Sequence, residues 1–195
     1  MSSPSAKLLV FVSGDLACIK INGRANFASS IDFKLVFNEL LKKHYGCFVL
    51  DLADCMLMDS TFLGVLAGFG VEMSRSRNGS PAHPIELLNP NARVSDLLLN
   101  LGVMDLFQVI TGPLPLPDVA AATEAPASKP THEEVTRTCL EAHELLMDLS
   151  PANVAKFKDV TQFLAEDLKK VRANSNGAPE AAAQTNGDVT NGARH

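Results

Sequence analysis

Val49-Leu50-Asp51-Leu52, followed after a short spacer by Met58-Asp59-Ser60-Thr61-Phe62-Leu63-Gly64-Val65-Leu66, decides how this chain is read. The first run is apolar and short, as a buried strand is. Asp-Ser-Thr then opens an apolar-periodic helix that buries Phe62, Leu63, Leu66, Phe69 and Met73. The turn between them sets two hydroxyls, Ser60 and Thr61, at a helix N-terminus. Unpaired N–H groups and a partial positive charge there suit an added phosphate. Gly64, Gly68 and Gly70 each weaken this helix by about 1 kcal/mol against alanine. Three in one helix imply that another backbone packs very close.

Upstream, Leu8–Val12 and Leu16–Ile21 flank the turn residues Ser13-Gly14-Asp15 and read as a β-hairpin that Asn22-Gly23-Arg24 closes. Ser29 or Ser30 offers an N-cap. Phe33, Val36, Phe37, Leu40 and Leu41 then recur on one helical face, with Lys42-Lys43-His44 in the last turn. Cys47–Leu50 is a third strand, central because it is apolar throughout. Residues 52–58 read as a connection and Ser74–Pro84 as a polar turn region. Ile85–Leu88 is a short strand. Asn89-Pro90-Asn91 starts a helix on Val94, Leu97, Leu98 and Leu101 that Gly102 ends. Leu106–Ile110 completes the sheet. Strands and helices alternate after an initial hairpin, which means α/β layering with parallel pairs.

The domain is expected over residues 7–112, after a flexible 1–6. Residues 113–130, rich in proline and alanine, read as an extended linker. Thr131 with Glu134 forms a capping box. Val135, Cys139, Ala142, Leu146 and Leu149 follow at helical steps. Ser150-Pro151 starts a second helix on Phe157, Val160, Leu164, Leu168 and Val171. This two-helix extension, 131–172, buries little alone. It must pack on the domain, on a copy of itself as a homo-dimer, or on a partner. Residues 173–195 read as a disordered tail.

The chain has 195 residues and a net charge of −5, with the acidic excess over residues 113–172. That balance argues against a nucleic-acid partner, which needs a clustered basic face. Four cysteines lie far apart without metal-ligand spacing, so no metal and no cofactor is expected. The thiols read as single groups in a reducing cytosol. The Phe62–Met73 run is too short for membrane insertion, which needs about 20 apolar residues. No signal peptide is evident, and a cytoplasmic protein is expected. No nucleophile elbow, His-Glu-x-x-His or dinucleotide fingerprint occurs, so no catalytic residue is assigned and an enzyme is not expected.

With those elements in order, residues 7–112 resemble the STAS domain, the fold of anti-sigma factor antagonists and of sulfate-transporter tails. The resemblance rests on Ile21-Asn22-Gly23-Arg24, Leu50-Asp51-Leu52, the Met58–Leu66 block, and more weakly Leu88–Asn91 with Leu98–Gly102 and Leu106-Phe107. It implies a STAS-like mixed α/β sheet with helices packed on one side, here extended by a C-terminal α-helical hairpin. It also implies a regulatory module that binds an anti-sigma factor or switch kinase. The second hydroxyl of the family block is the phosphoacceptor. This position is Thr61, ahead of Ser60, with a serine kinase and a phosphatase acting in trans. Asn22, Arg24, Asp51, Asp59, Ser60 and Phe62 are the expected partner-binding residues. For Asp51 a turn-forming role competes, as it does for Asn22 and Arg24. Phe62 stands where the family usually has glycine, as a shield for the acceptor or an apolar contact for a partner. A constitutive STAS subunit of a membrane transport assembly (the phospholipid ABC type), without phosphorylation, is the alternative.

Overall fold

The structure, a computed structural model, describes residues 5–76, 85–113 and 122–176. Its elements are β1 (Lys7–Ser13), β2 (Leu16–Ala25), α1 (Phe27–Lys42), β3 (Cys47–Asp51), β4 (Cys55–Met58), α2 (Ser60–Ser76), β5 (Ile85–Leu88), α3 (Ala92–Asn100), β6 (Gln108–Ile110), β7 (Thr123–Glu124), α4 (His132–Leu149) and α5 (Val154–Asn176). The strands form one mixed sheet in the order β6-β5-β3-β2-β1-β7, with β4 pairing to the far end of β2. β1 runs antiparallel to β2 and β7, and the other pairs are parallel.

Alternation along β1 assigns the two faces. Leu8 and Val10 join the helices in the main core, whereas Leu9 and Phe11 point to the other face. The main core takes side chains from α1, α2, α3 and α4. The opposite face carries a smaller cluster of Phe11, Cys18, Val49 and Leu88, all from strands. This is the expected one-sided α/β layering. β3 lies inside the sheet between β5 and β2, as its unbroken apolarity predicts.

Several boundaries differ from the sequence expectation. Asn26, not Ser29 or Ser30, caps α1. Its side chain accepts from the Ser29 N–H, Ser29 Oγ accepts from the Asn26 N–H, and both serines are buried inside the helix. The supposed connection 52–58 contains β4, which pairs in parallel with Gly23–Ala25 across a bulge. The supposed linker contains β7, paired with Leu9 and Val10, and the Ala125 N–H donates to the Leu8 carbonyl. Its residues 114–121 lie outside the described ones. At the N-terminus Ser5 bridges to Arg24 and Ala6 is buried, so the flexible stretch expected over 1–6 does not reach Ala6; residues 1–4 are outside the described ones.

The Thr131–Glu134 capping box forms as expected. Ser150-Pro151 starts a single 3-10 turn, Pro151–Asn153, and α5 follows from Val154. α5 runs to Asn176, into the tail expected to be disordered from 173; residues 177–195 and the turn region 77–84 are outside the described residues. α4 packs on the domain through Ala142 and Leu146, and α5 packs on α4, where Leu168 is buried. Val160, expected on the packed face of α5, is exposed. No described helix is long and apolar enough to cross a membrane.

Candidate functional site

The corner forms where β4 ends and α2 begins. The Asp59 N–H donates to the Ala25 carbonyl, which ties the corner to the end of β2. Asp59 Oδ1 accepts from the Phe62 N–H at 2.8 Å, the usual N-cap bond of α2. Its Oδ2 accepts from the Phe27 N–H at 2.7 Å, in the first turn of α1. One carboxylate therefore caps two helices. Burial raises the Asp59 pKa, and the backbone N–H bonds from Phe62, Phe27 and Thr61 pull it back.

Ser60 and Thr61 are both covered by α4. Ser60 Oγ lies 2.9 Å from His143 Nε2, and His143 Nδ1 lies 2.8 Å from the Cys139 carbonyl. A carbonyl only accepts, so Nδ1 carries the proton, and the Ser60 hydroxyl donates to Nε2. His143 is 7% exposed, and its ring packs 4.8 Å from that of Phe157. Thr61 is 5% exposed, and its hydroxyl donates to Cys139 Sγ at 3.7 Å. Burial also raises the Cys139 pKa. The close approach that the glycines imply is found one turn along. A Cβ on Gly64 would lie 2.6 Å from the Ala142 carbonyl oxygen. Gly68 faces Leu145, and Gly70 faces Leu106 and Phe107.

The other expected site residues do not converge on the hydroxyls. Phe62 is corrected outright: it is fully buried and its ring lies tilted against that of Phe33, 4.9 Å between centroids, so it offers a partner no surface. It belongs to a chain of rings through Phe33, Phe37, Phe48 and Phe69. Asp51 is buried at the end of β3. It accepts from the Ala53 N–H at 3.1 Å and lies 3.6 Å from Lys20 Nζ, so it is a turn residue of the domain. Asn22 and Arg24 are exposed on β2, beside the bulge and β4. They flank the corner without touching Ser60 or Thr61 through any described hydrogen bond.

His143 and Cys139 are the site residues that sequence reasoning missed. Cys139 lies on the helical stripe that reads as packing, and no expectation attaches to His143. The available signal was a histidine four residues after Cys139, next to Ala142 and within a turn of Leu146, so on an otherwise apolar stripe. Among the described residues, no three of His, Cys, Asp and Glu converge as a metal site would require.

The geometry carries a pH expectation. Burial lowers the His143 pKa below its ordinary 6.5, against the Cys139 carbonyl bond and the Asp59 charge, which raise it. The unfolded chain therefore takes up the proton first as pH falls. The stabilisation from neutral His143 is complete above about pH 6.5, declines below it, and levels off under the folded-state pKa. His143→Gln keeps an acceptor for Ser60 but does not titrate, so its stability should lack this decline. Urea midpoints at about pH 5 and pH 7.5 compare the two; equal slopes in both proteins would refute the assignment.

No family model matches this chain, and no curated protein matches it. Solved structures do. A Thermotoga maritima protein assigned as an anti-sigma factor antagonist is 25% identical, with a TM-score of 0.46, covering 54% of this chain and 86% of that one. The anti-sigma factor antagonist SpoIIAA in its unphosphorylated form is 17% identical, with a TM-score of 0.46 and coverages of 54% and 89%. The Bacillus cell fate determinant SpoIIAA in its phosphorylated form is 16% identical, with a TM-score of 0.44 and coverages of 54% and 92%.

Proposed function

We propose that this chain is a regulatory binding module of the anti-sigma factor antagonist type. It docks an anti-sigma factor or switch kinase through the edge around Asp59, Ser60 and Thr61, and reversible phosphorylation of Thr61 controls the docking. The observation that supports this reading most is the seating of α4. A helix from outside the sheet domain bonds Ser60 and crosses α2 where Gly64 leaves room for its backbone. The same features make the corner suitable for a partner's helix: hydroxyls that bond side chains, and a glycine that admits close approach.

Phosphate chemistry fits the control. A phosphothreonine adds nearly two negative charges at pH 7 and three strong acceptors. At the first turn of α2 the helix dipole tolerates it. A partner seated there meets a new charge and a larger group. Arg24 and Asn22, exposed on β2 beside β4, extend the edge along the end of β2.

The experiment is phosphopeptide mapping of the chain isolated from its cells, paired with a pull-down of the parent and of Thr61→Asp. The expected outcome is phosphate on Thr61 and a partner retained by the parent but lost by the variant. Absence of phosphate, together with equal partner recovery by both, would dismiss the switch.

A further inference from the structure

The α4–α5 hairpin has a place in that control. Its contact with α2 and α1 is close but partly polar. Ser60 bonds His143, Thr61 bonds Cys139, and Lys34 Nζ pairs with Glu141 at 3.0 Å between exposed side chains. Thr136, Thr138 and His143 are buried on α4 beside Ala142 and Leu146. At its C-terminal end, Asn153 Nδ2 donates to the carbonyls of Leu101 and Leu146. Ala142 and Leu146 join the main core there, with Leu145, Leu149 and Phe157 packed beside them, but no strand ladder among the described residues crosses the boundary, so it can open while the sheet stays paired.

Thr61 sits under this boundary. Its Oγ1 is 3.7 Å from Cys139 Sγ, and the residue is buried. A phosphorus with three further oxygens has no room between them. The Asp59 carboxylate, two residues back and half-buried, adds like charge. We infer that α4 is the resident cover of the Thr61 hydroxyl: docked α4 and phosphorylated Thr61 exclude each other.

This rests on the proposed reading of Thr61 as acceptor. In the transfer, a nucleoside triphosphate held by the kinase supplies the phosphoryl group. The Thr61 Oγ1–P bond forms, the bond from phosphorus to the diphosphate oxygen breaks, and the hydroxyl proton passes to the kinase's base. Because only the open chain presents Oγ1, the rate of modification scales with the open fraction. The phosphate in turn favours the form that alone accommodates it. The hairpin thereby gates its own release: the partner and the kinase both draw on the open form, and once α4 is displaced the phosphate on Thr61, with its charge and bulk, is what bars the partner from the corner.

The four cysteines supply the test in the full chain. Cys47 is exposed, Cys18 and Cys55 are buried in the sheet domain, and Cys139 is half-buried at the α2–α4 boundary. Labelling with a maleimide, followed by peptide mass analysis over time, reads hairpin opening at Cys139 and global opening at Cys18 and Cys55. Two variants open the boundary by different means: Gly64→Ala drives a methyl into Ala142, and Thr61→Glu places a charge under α4. Each should speed Cys139 labelling by about tenfold or more, with Cys18 and Cys55 unchanged. Should Cys139 keep step with Cys18 and Cys55 in every protein, the hairpin is part of one cooperative core and the cover is refuted. If Gly64→Ala alone frees Cys139, the exclusion of charge at Thr61 is refuted. Neither result depends on a partner, so failure here and failure of the pull-down are separable.

Discussion

Phe62→Gly, which installs the residue usual in the resembled family, is expected to destabilise this chain by about 4–6 kcal/mol. Removing a buried phenyl costs about 3–5 kcal/mol, and glycine inside a helix adds about 1 kcal/mol against alanine. The ring is fully buried against Phe33, and Phe33 in turn meets Phe37 and Phe69. No solvent-side movement can fill the space, because α2 is covered by α4 on its other side. A domain stable by about 5–15 kcal/mol would stand near unfolding after such a loss. Urea denaturation followed by circular dichroism measures it. Phe62→Leu, which keeps most of the volume, should lose under about 1.5 kcal/mol. If Phe62→Gly were as stable as Phe62→Leu, the ring would not be a core residue.

That position shows what the sequence could tell. The strand–turn–helix corner was legible because its signals are local: an apolar run, an Asp-Ser-Thr start, a 3.6-residue period. The destination of the Phe62 ring was not, since it is set by Phe33 on α1, 29 positions upstream in the chain. β4 was missed for a related reason. Cys55–Met58 follows a turn and is short, and it is a strand only because the end of β2 offers it a ladder. β7 is a strand because β1 is an open edge, although its surroundings are rich in proline and alanine. The glycines of α2 predicted a close backbone, and the periodicity of α4 predicted a helix needing a surface. Nothing local joined the two, so the seating of His143 on Ser60 came only with the fold.

The second large effect is expected at Asp59. Its two oxygens accept from N–H groups of two helices, α1 at Phe27 and α2 at Phe62. Asp59→Ala leaves both donors without that partner; Phe27 is exposed, so water can reach its N–H, whereas Phe62 is fully buried. A lost aspartate N-cap costs about 0.5–2 kcal/mol, and an N–H left unsatisfied by burial about 1–3 kcal/mol. The sum is offset by removal of a carboxylate that is itself raised in pKa by desolvation. A net loss of about 2–4 kcal/mol follows. Asp59→Asn retains one carbonyl oxygen and should lose about half as much. The pH dependence separates the cap from mere packing. The folded chain holds the Asp59 proton more tightly than the unfolded chain, whose value is near the ordinary 3.8. The Asp59 contribution is therefore more favourable in acid, diminishes as pH rises from 3.8 through the raised value, and is flat above it. Glu133 and Glu134, whose values are lowered, act in the opposite sense in the same chain. The difference between parent and Asp59→Asn, followed by urea midpoints from about pH 3.5 to pH 7, isolates the Asp59 share. That difference should be greatest at the acid end and settle to the loss of one cap bond at neutral pH. A difference that instead grows with pH would mean that the N–H bonds from Phe27 and Phe62 outweigh burial, and that the corner favours the very Asp59 charge that a phosphate on Thr61 has to face.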